Sequence, residues 1–395
     1  MSLSRRRLLR YAGSALAATP WLGQALAAEH ALPRRAIGMP FPRVTLPASP
    51  PPAPAEGSVG FAVMGLGGYG LGRIMPALAR AERCHVAAVV SGNREKAARV
   101  ASAYGLPGDA VYHYDDFDRI AEDERVEVVY NALPSGLHAD WSEHAFAAGK
   151  HVLCEKPMAL TSAECDRMIA AAEAADRQLM IAYRCYFEPF NVRAMALMRE
   201  GAVGAIESIE AIHQYRMGPT SPADNWRVVR SLAGGGPLED YGIYGLQAAL
   251  YLSNELPSQL RAETVQPTDD PRFSEIFASV RTEMSFPSGA KAELFTSYDT
   301  SPGQNRVAVR GSSGVLELEP ATSYGGQRMS LTRNGSTEAL EAGDPGVQFH
   351  RQCDHFAEVI RDGVQLIAPG AMGLRDVRLM EAIYRSAASG ETVRL

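Results

Sequence analysis

Residues 59–82 read "VGFAVMGLGGYGLGRIMPALARAE", and this stretch decides the fold. Val59 to Met64 form a short apolar run that suits a buried strand. Gly65, Gly67 and Gly70 follow in G-x-G-x-x-G spacing, and a segment with helical periodicity begins at once. In a strand-turn-helix unit the first glycine permits the tight turn and the second lets a pyrophosphate approach the backbone. The third lets helix and strand pack closely, and the helix N-terminus faces the phosphates. The stretch therefore predicts a dinucleotide cradle built by Gly65, Leu66, Gly67, Gly68, Tyr69 and Gly70.

Outward from it the pattern repeats. "HVAAVVS", "VEVVYNAL", "HVLCEKP" and "QLMIAYR" read as further strands, and "REKAARVASAYG", "HADWSEHAFAAG" and residues 162–175 read as the helices between them. Repeated strand-helix units with short loops imply an α/β Rossmann domain with a doubly wound parallel sheet, over residues 58–183. Past Arg184 the texture changes to long alternating segments such as "AIESIEAIHQYRM", "FSEIFASVRTEMSF" and "AKAELFTSYD". These predict an α+β domain over 184–395, for substrate binding and oligomerisation, with a large, mostly antiparallel open sheet. Helices near 188–200, 238–252, 347–362 and 371–388 should cover one face. With 395 residues and 46% apolar content, the chain has material for two cores.

The tip of the second strand, "SGNREK", bears on the cofactor. An NAD site usually carries Asp or Glu here for the ribose hydroxyls; this chain has Ser91, Gly92 and Asn93, followed by Arg94 and Lys96. A hydroxyl with nearby cations accepts a 2′-phosphate that a carboxylate would repel, so NADP is the expected cofactor.

Two segments precede the first strand. Ser4-Arg5-Arg6-Arg7-Leu8-Leu9-Arg10, a broken apolar run and Ala25-Leu26-Ala27 give residues 1–27 the form of a twin-arginine signal peptide. Interrupted by Gly13, Pro20 and Gly23, the run is too short for a membrane span, which needs about 20 apolar residues. Export already folded, through the twin-arginine machinery, implies a periplasmic protein that captures its cofactor before leaving the cytoplasm. Residues 28–57 form a proline-rich arm, either a spacer or a strap; Ile37, Met39, Phe41, Val44 and Leu46 would give a strap its grip. Loss of the leader removes Arg5, Arg6, Arg7 and Arg10 from the 39 basic residues, leaving 35 against 45 acidic ones. Such a surface favours neither nucleic acid nor stable association with an anionic membrane. Five scattered cysteines without a C-x-x-C pair read as buried thiols. His213, His350 and His355 lack partners at ligand spacing, so no metal is expected.

"AGKHVLCEKPMA" at 148–159 and "GGGPLEDYGIYGLQAALYL" at 234–252 stand with "LMIAYRC", "DNWRVVRSLAGGG" and "DVRLMEAIY". In these motifs the chain resembles the glucose-fructose oxidoreductase and inositol dehydrogenase-like family, and within it the exported glucose-fructose (aldose-aldose) oxidoreductase branch. The resemblance implies that Lys156 sits beside nicotinamide and substrate, with Glu155 and Pro157 shaping its turn and a cis peptide between Lys156 and Pro157. Many relatives carry Asp and, four residues later, His as a catalytic pair; here those positions hold Asp240 and Tyr244, which share one helix face. Tyr244 is expected as general acid/base with its pKa lowered by the Lys156 ammonium, and Asp240 as an acceptor for a sugar hydroxyl. Arg184, Tyr186, Trp226, Arg227 and Tyr298 are the further sugar candidates. Tyr114, Leu133, Pro134, His138, Glu155, Arg184, Trp226 and Arg227 are expected at the cofactor.

The activity so implied oxidises an aldose at C1 to its lactone and passes the hydride, through tightly bound NADP, to a second sugar that leaves as a polyol. A ping-pong cycle suits a compartment with no NADP pool to draw on. The alternatives are an aldose dehydrogenase with dissociable NADP and a sugar-binding protein without activity. A homodimer or homotetramer is expected through the open face of the antiparallel sheet.

Overall fold

The computed structural model describes residues 43–395; the leader and the first part of the arm lie outside the described residues. Strand β1 (Val59–Met64) is buried along its whole length, as a central parallel strand covered on both faces must be. It turns at Gly65, where φ is +96° and an added Cβ would lie 2.6 Å from the Ala132 carbonyl oxygen, so only glycine fits. The chain then winds through a wide turn, Gly70–Ile74, into α1 (Met75–Leu78).

There follow β2 (Cys84–Val90), α2 (Arg94–Ala103), β3 (Val111–Tyr112), β4 (Val128–Asn131), α3 (His138–Ala147), β5 (His151–Cys154), α4 (Ser162–Ala174) and β6 (Leu179–Ile181). The six strands lie parallel in the order β3-β2-β1-β4-β5-β6. Strand order reverses between β1 and β4, and the crevice beyond the strand ends at such a switch point is where α/β sheets bind ligands.

After β6 come α5 (Pro189–Arg199), β7 (Ile206–Arg216), α6 (Arg230–Ala233), a wide turn at Leu238–Gly242 and α7 (Ile243–Ser253). Strands β8 (Gln259–Val265), β9 (Ser279–Ser285), β10 (Lys291–Ser297), β11 (Asp299–Gly311), β12 (Gly314–Leu318), β13 (Met329–Arg333) and β14 (Ser336–Leu340) lead to helices α8 (Gln348–Asp362) and α9 (Gly370–Ser389), and β15 (Val393–Arg394) ends the chain. The nine strands of the second sheet run β14-β13-β12-β11-β7-β10-β9-β8-β15, antiparallel except for the β7–β10 pair. Period-two burial shows which face the helices cover: Leu260 and Ala262 of β8 are buried, whereas Gln259, Arg261 and Glu263 point outward.

Both expected sheets are present, and two expected strands are shorter. "QLMIAYR" is strand only over Leu179–Ile181, because the Ile181 amide donates to the Ala368 carbonyl and the chain then coils into a tight turn at Arg184–Phe187. In "FSEIFASVRTEMSF", β9 begins at Ser279, because Phe273 and Ile276 turn inward to a small core with Met217, Val228 and Tyr298. All five cysteines are buried free thiols.

The two sheets are tied at several points. The Asp354 carboxylate of α8 accepts from the Glu82 and Arg83 amides at 3.0 and 2.8 Å, and Gln352 donates to the Tyr130 hydroxyl at 3.1 Å. The loop before α3 meets the residue at the start of α6: a Cβ at Gly136 would stand 2.0 Å from the Ser231 carbonyl oxygen. Gly136→Ala should therefore lower the thermal midpoint, at a cost of about 1–3 kcal/mol. Gly108→Ala, whose Cβ would meet nothing within 4 Å, should leave it unchanged. Equal midpoints for both variants in a melting experiment would contradict this packing.

Candidate active site

At the ends of β1, β2, β4 and β5 the loops open onto one cleft. Gly67 and Gly68 face free space, with no atom within 4 Å of an added Cβ, while a Cβ on Gly70 would strike the Gly65 carbonyl oxygen at 2.4 Å. The backbone thus leaves a cradle at the second glycine and packs tightly at the third, the arrangement a pyrophosphate requires. At the tip of β2, the buried Ser91 hydroxyl accepts from the Asn93 amide at 3.2 Å, and Asn93 caps α2 by accepting from the Lys96 amide at 2.8 Å. Burial holds the Lys96 pKa below its ordinary value. Arg94 is 3.0 Å from Asp116, so its charge is shared with an acid that the sequence did not point to.

Tyr114 packs on Trp141 with ring centroids 4.7 Å apart. Leu133 and Pro134 form the loop after β4, and His138 braces it: its two ring nitrogens stand 2.9 Å from the carbonyl oxygens of Leu133 and Pro157. His138 thus joins the β4 and β5 loops. Glu155 is buried behind them, accepting from the Tyr130 hydroxyl at 2.6 Å, and its burial raises its pKa. The Lys156–Pro157 peptide is cis.

A cavity of about 550 Å³ lies between this cleft and the second sheet. Lys156 enters it from the β5 loop. Its Nζ donates to the Asp240 carbonyl oxygen at 2.5 Å and lies 3.7 Å from Asp240 Oδ1. Asp240 belongs to the wide turn before α7, and Tyr244 to the first turn of that helix, so both side chains reach the same cavity. The Tyr298 hydroxyl donates to Asp240 Oδ2 at 2.8 Å, and Arg227 Nε lies 3.4 Å from the same oxygen. Against the cost of burial, Arg227 and Lys156 hold the carboxyl below its usual range.

Tyr244 corrects one expectation. Burial pushes its phenol above the ordinary value, and the charge that opposes this is Arg184, whose Nε donates to the hydroxyl at 3.2 Å. The Lys156 ammonium instead stands 4.8 Å over the ring centroid, against the π face and away from the oxygen.

Of the other candidates, Arg184 and Arg227 line the cavity. Tyr298 is fully buried behind Asp240 and acts on it through its hydroxyl. Trp226 lies under the Arg227 guanidinium, 4.6 Å from it, and does not line the cavity wall. Tyr186 points elsewhere: two residues past Arg184 on a tight turn, its ring packs on Tyr251 at 5.5 Å. The sequence did not point to Tyr215, Met217, Asn225, Tyr241, Asn305, Thr322, Ser323 and Tyr324: Tyr241 sits in the wide turn beside Asp240, Asn225 caps the turn Trp226–Val228, and the others come from separate strands and loops of the second sheet. Among the described residues, no group of three His, Cys, Asp or Glu could hold a metal ion.

Comparison with known proteins places these features in context. The model of the oxidoreductase family with an NAD-binding Rossmann fold matches residues 59–183, and that of the GFO/IDH/MocA C-terminal domain matches residues 192–317. The NADP-dependent D-xylose 1-dehydrogenase 2 of Haloferax volcanii is 30% identical over 342 residues, covering 85% of this chain and 99% of that protein. The NADP-dependent D-xylose 1-dehydrogenase of Haloarcula marismortui is 29% identical over 347 residues, 86% of this chain and 94% of that protein. The crystal structure of aldose-aldose oxidoreductase from Caulobacter crescentus, complexed with glycerol, is similar with a TM-score of 0.82 and 42% identity, covering 86% of this chain and all (100%) of that one.

Tyr298→Phe removes one donor from Asp240 and leaves the ring in place. The carboxyl should then titrate at higher pH, followed by carbon-13 NMR of labelled aspartate; an unmoved titration would mean that the hydroxyl does not hold it.

Proposed function

The chain belongs to the GFO/IDH/MocA oxidoreductase family, and we propose that it is a sugar-to-sugar hydride carrier working in the periplasm with a captive NADP. It is an NAD(P)-dependent oxidoreductase that acts on sugars. The observation that carries the reading is the convergence of Lys156, Asp240 and Tyr244 on one cavity beside the glycine cradle. The hydroxyl of Ser91, with Asn93, Arg94 and Lys96 beside it at a tip without a β2 carboxylate, supports NADP over NAD.

Bound NADP supplies a hydride acceptor and, once reduced, a hydride donor. The residues handle the proton and the pose. Asp240, kept ionised by Arg227 and Lys156, accepts a hydroxyl of the sugar, while Tyr215, Asn225 and Asn305 offer further polar contacts along the wall. Lys156 and Tyr244 stand together on the cavity wall, the ammonium 4.8 Å over the phenol ring, and meet the sugar at the same place. As C1 is oxidised, the hydroxyl proton passes to Tyr244 with Arg184 stabilising the phenolate. As the second sugar is reduced, Tyr244 returns a proton to the carbonyl oxygen. Burial favours the neutral phenol, so the acid role is met at neutral pH and the base role is the demanding one.

Two observations support the captive cofactor. The described part of the arm lies on the nucleotide side: Val44 Cγ1 is 3.5 Å from a Cβ built on Gly72, beside the cradle helix, and Pro50 Cβ is 3.0 Å from one on Gly105, just past α2. The leader "SRRRLLR" with Ala25-Leu26-Ala27 supports folded export, after which released NADP could not be replaced. The outward residues of the second sheet, including Arg281, Glu293 and Phe295, support self-association through that face. A dehydrogenase with dissociable NADP is the second reading, favoured by the similarity to the D-xylose 1-dehydrogenases.

Three outcomes are expected. With glucose deuterated at C1 and an unlabelled second aldose, deuterium should appear in the polyol, undiluted by added free NADPH; dilution by that pool would favour the second reading. Deleting residues 30–52 should make the purified enzyme lose NADP on dialysis, and full retention would reject the strap. In single-turnover kinetics the oxidation half-reaction should accelerate with pH through the alkaline range, because its base is a phenol raised above the ordinary value of about 10. Removing the charge that lowers it, in Arg184→Met, should move that rise to still higher pH; an unchanged profile would take the proton transfer away from Tyr244.

A further inference from the structure

The loop between β12 and β13 carries Tyr324, a large aromatic residue with 42% of its surface exposed, yet its ring touches both halves of the molecule. On the second-domain side it meets Phe349 of α8, with centroids 5.4 Å apart, and the Arg184 guanidinium, 4.8 Å from the ring centroid. On the Rossmann side it meets Tyr69 of the glycine loop at 6.0 Å and the Arg73 guanidinium, also 4.8 Å from the centroid. Tyr69 itself reaches Phe349 at 6.4 Å, so three rings and two guanidiniums close on one another across the junction.

The loop is pinned at its base and open at its tip. Arg184 donates to the carbonyl oxygens of Thr322 and Ser323 at 2.5 and 3.3 Å, and Gln327 donates to the Ser323 carbonyl at 2.6 Å. Gly325 and Gly326, immediately past the ring, face open space, and Gly326 has φ +75°. A ring presented by a fixed base and followed by two unpacked glycines can swing away without disturbing the sheet.

Its position suits one task. The phosphates of a dinucleotide would lie in the free space at Gly67 and Gly68 and its reactive ring would have to reach Lys156, and the Tyr69–Tyr324 pair stands where the glycine loop meets the cavity wall. We propose that Tyr324 is a clasp over the cofactor, closing the junction between the glycine loop and the second domain and limiting how fast NADP(H) leaves. The inference rests on the captive-cofactor reading and adds a second, independent retention device to it. Aromatic and guanidinium stacking supplies the closing force, so the ring matters and the hydroxyl does not.

The test measures NADPH release from the full-length, loaded protein, following bound NADPH fluorescence after a chase with excess NADP. Tyr324→Ala should release NADPH on the order of tenfold faster than the native chain, the loss of two or three stacking contacts. Tyr324→Phe should stay within about twofold of native and Arg73→Gln should fall between them. Tyr324→Leu, which keeps bulk without a π face, should resemble the alanine variant and guards against a folding artefact. Release from Tyr324→Ala and Tyr324→Leu at the native rate would overturn the clasp, as would acceleration in Tyr324→Phe equal to that in alanine. Rapid release from the native chain would instead sink the captive-cofactor reading, and the ratio between variants would still decide the clasp.

Discussion

Arg184 is 2% exposed, and its guanidinium donates to neutral acceptors: the Tyr244 hydroxyl, the Thr322 and Ser323 carbonyls, the Gln348 side chain and the Cys185 sulfur. Taking a cation out of water costs several kcal/mol unless its donors are met, so those acceptors have to be held in place together. Apart from the neighbouring Cys185, they come from α7, from the β12–β13 loop and from α8. Satisfying one buried charge thereby fixes Tyr244, the base of the Tyr324 loop and the helix that returns to the Rossmann sheet. The same positive charge, 4.5 Å over the Tyr244 ring, is what favours a phenolate in surroundings that otherwise oppose it.

Around that centre the two sheets divide the work. The parallel sheet ends in loops that leave backbone space at Gly67 and place Lys156, and the antiparallel sheet supplies the polar wall from Tyr215, Asn305 and Thr322. The bond from Lys156 Nζ to the Asp240 carbonyl joins the two, so the cavity lies at their meeting line. In the proposed cycle, a cavity so placed would present either sugar to the same lysine, aspartate and tyrosine.

What was legible in the sequence was local. The glycine spacing and the "SGN" tip are set by backbone geometry within a few residues, and Asp240 and Tyr244, four residues apart, fall together because one turn of helix separates them. Tyr186 does not join the cavity because the chain coils at Arg184–Phe187 and sends its ring to Tyr251, a turn that no residue pattern in the sequence marks. The direction of the Tyr244 shift was not legible either, since desolvation depends on what closes over a residue, and that comes from distant segments. Tyr324 lies 140 positions beyond Arg184 and meets it only once the second sheet has formed. A Tyr-Gly-Gly after a strand reads as an ordinary loop.

The proposed cycle requires a cofactor that stays with the protein and is reduced and reoxidised in place. The direct measurement is the absorbance of extensively dialysed, purified protein, with no nucleotide supplied, before and after adding glucose and then a second sugar. A band at about 340 nm, the signature of reduced nicotinamide, should rise with the first sugar and fall with the second. A spectrum without that band, unchanged by either sugar, would contradict the captive cycle and leave a dehydrogenase that must draw NADP from its surroundings.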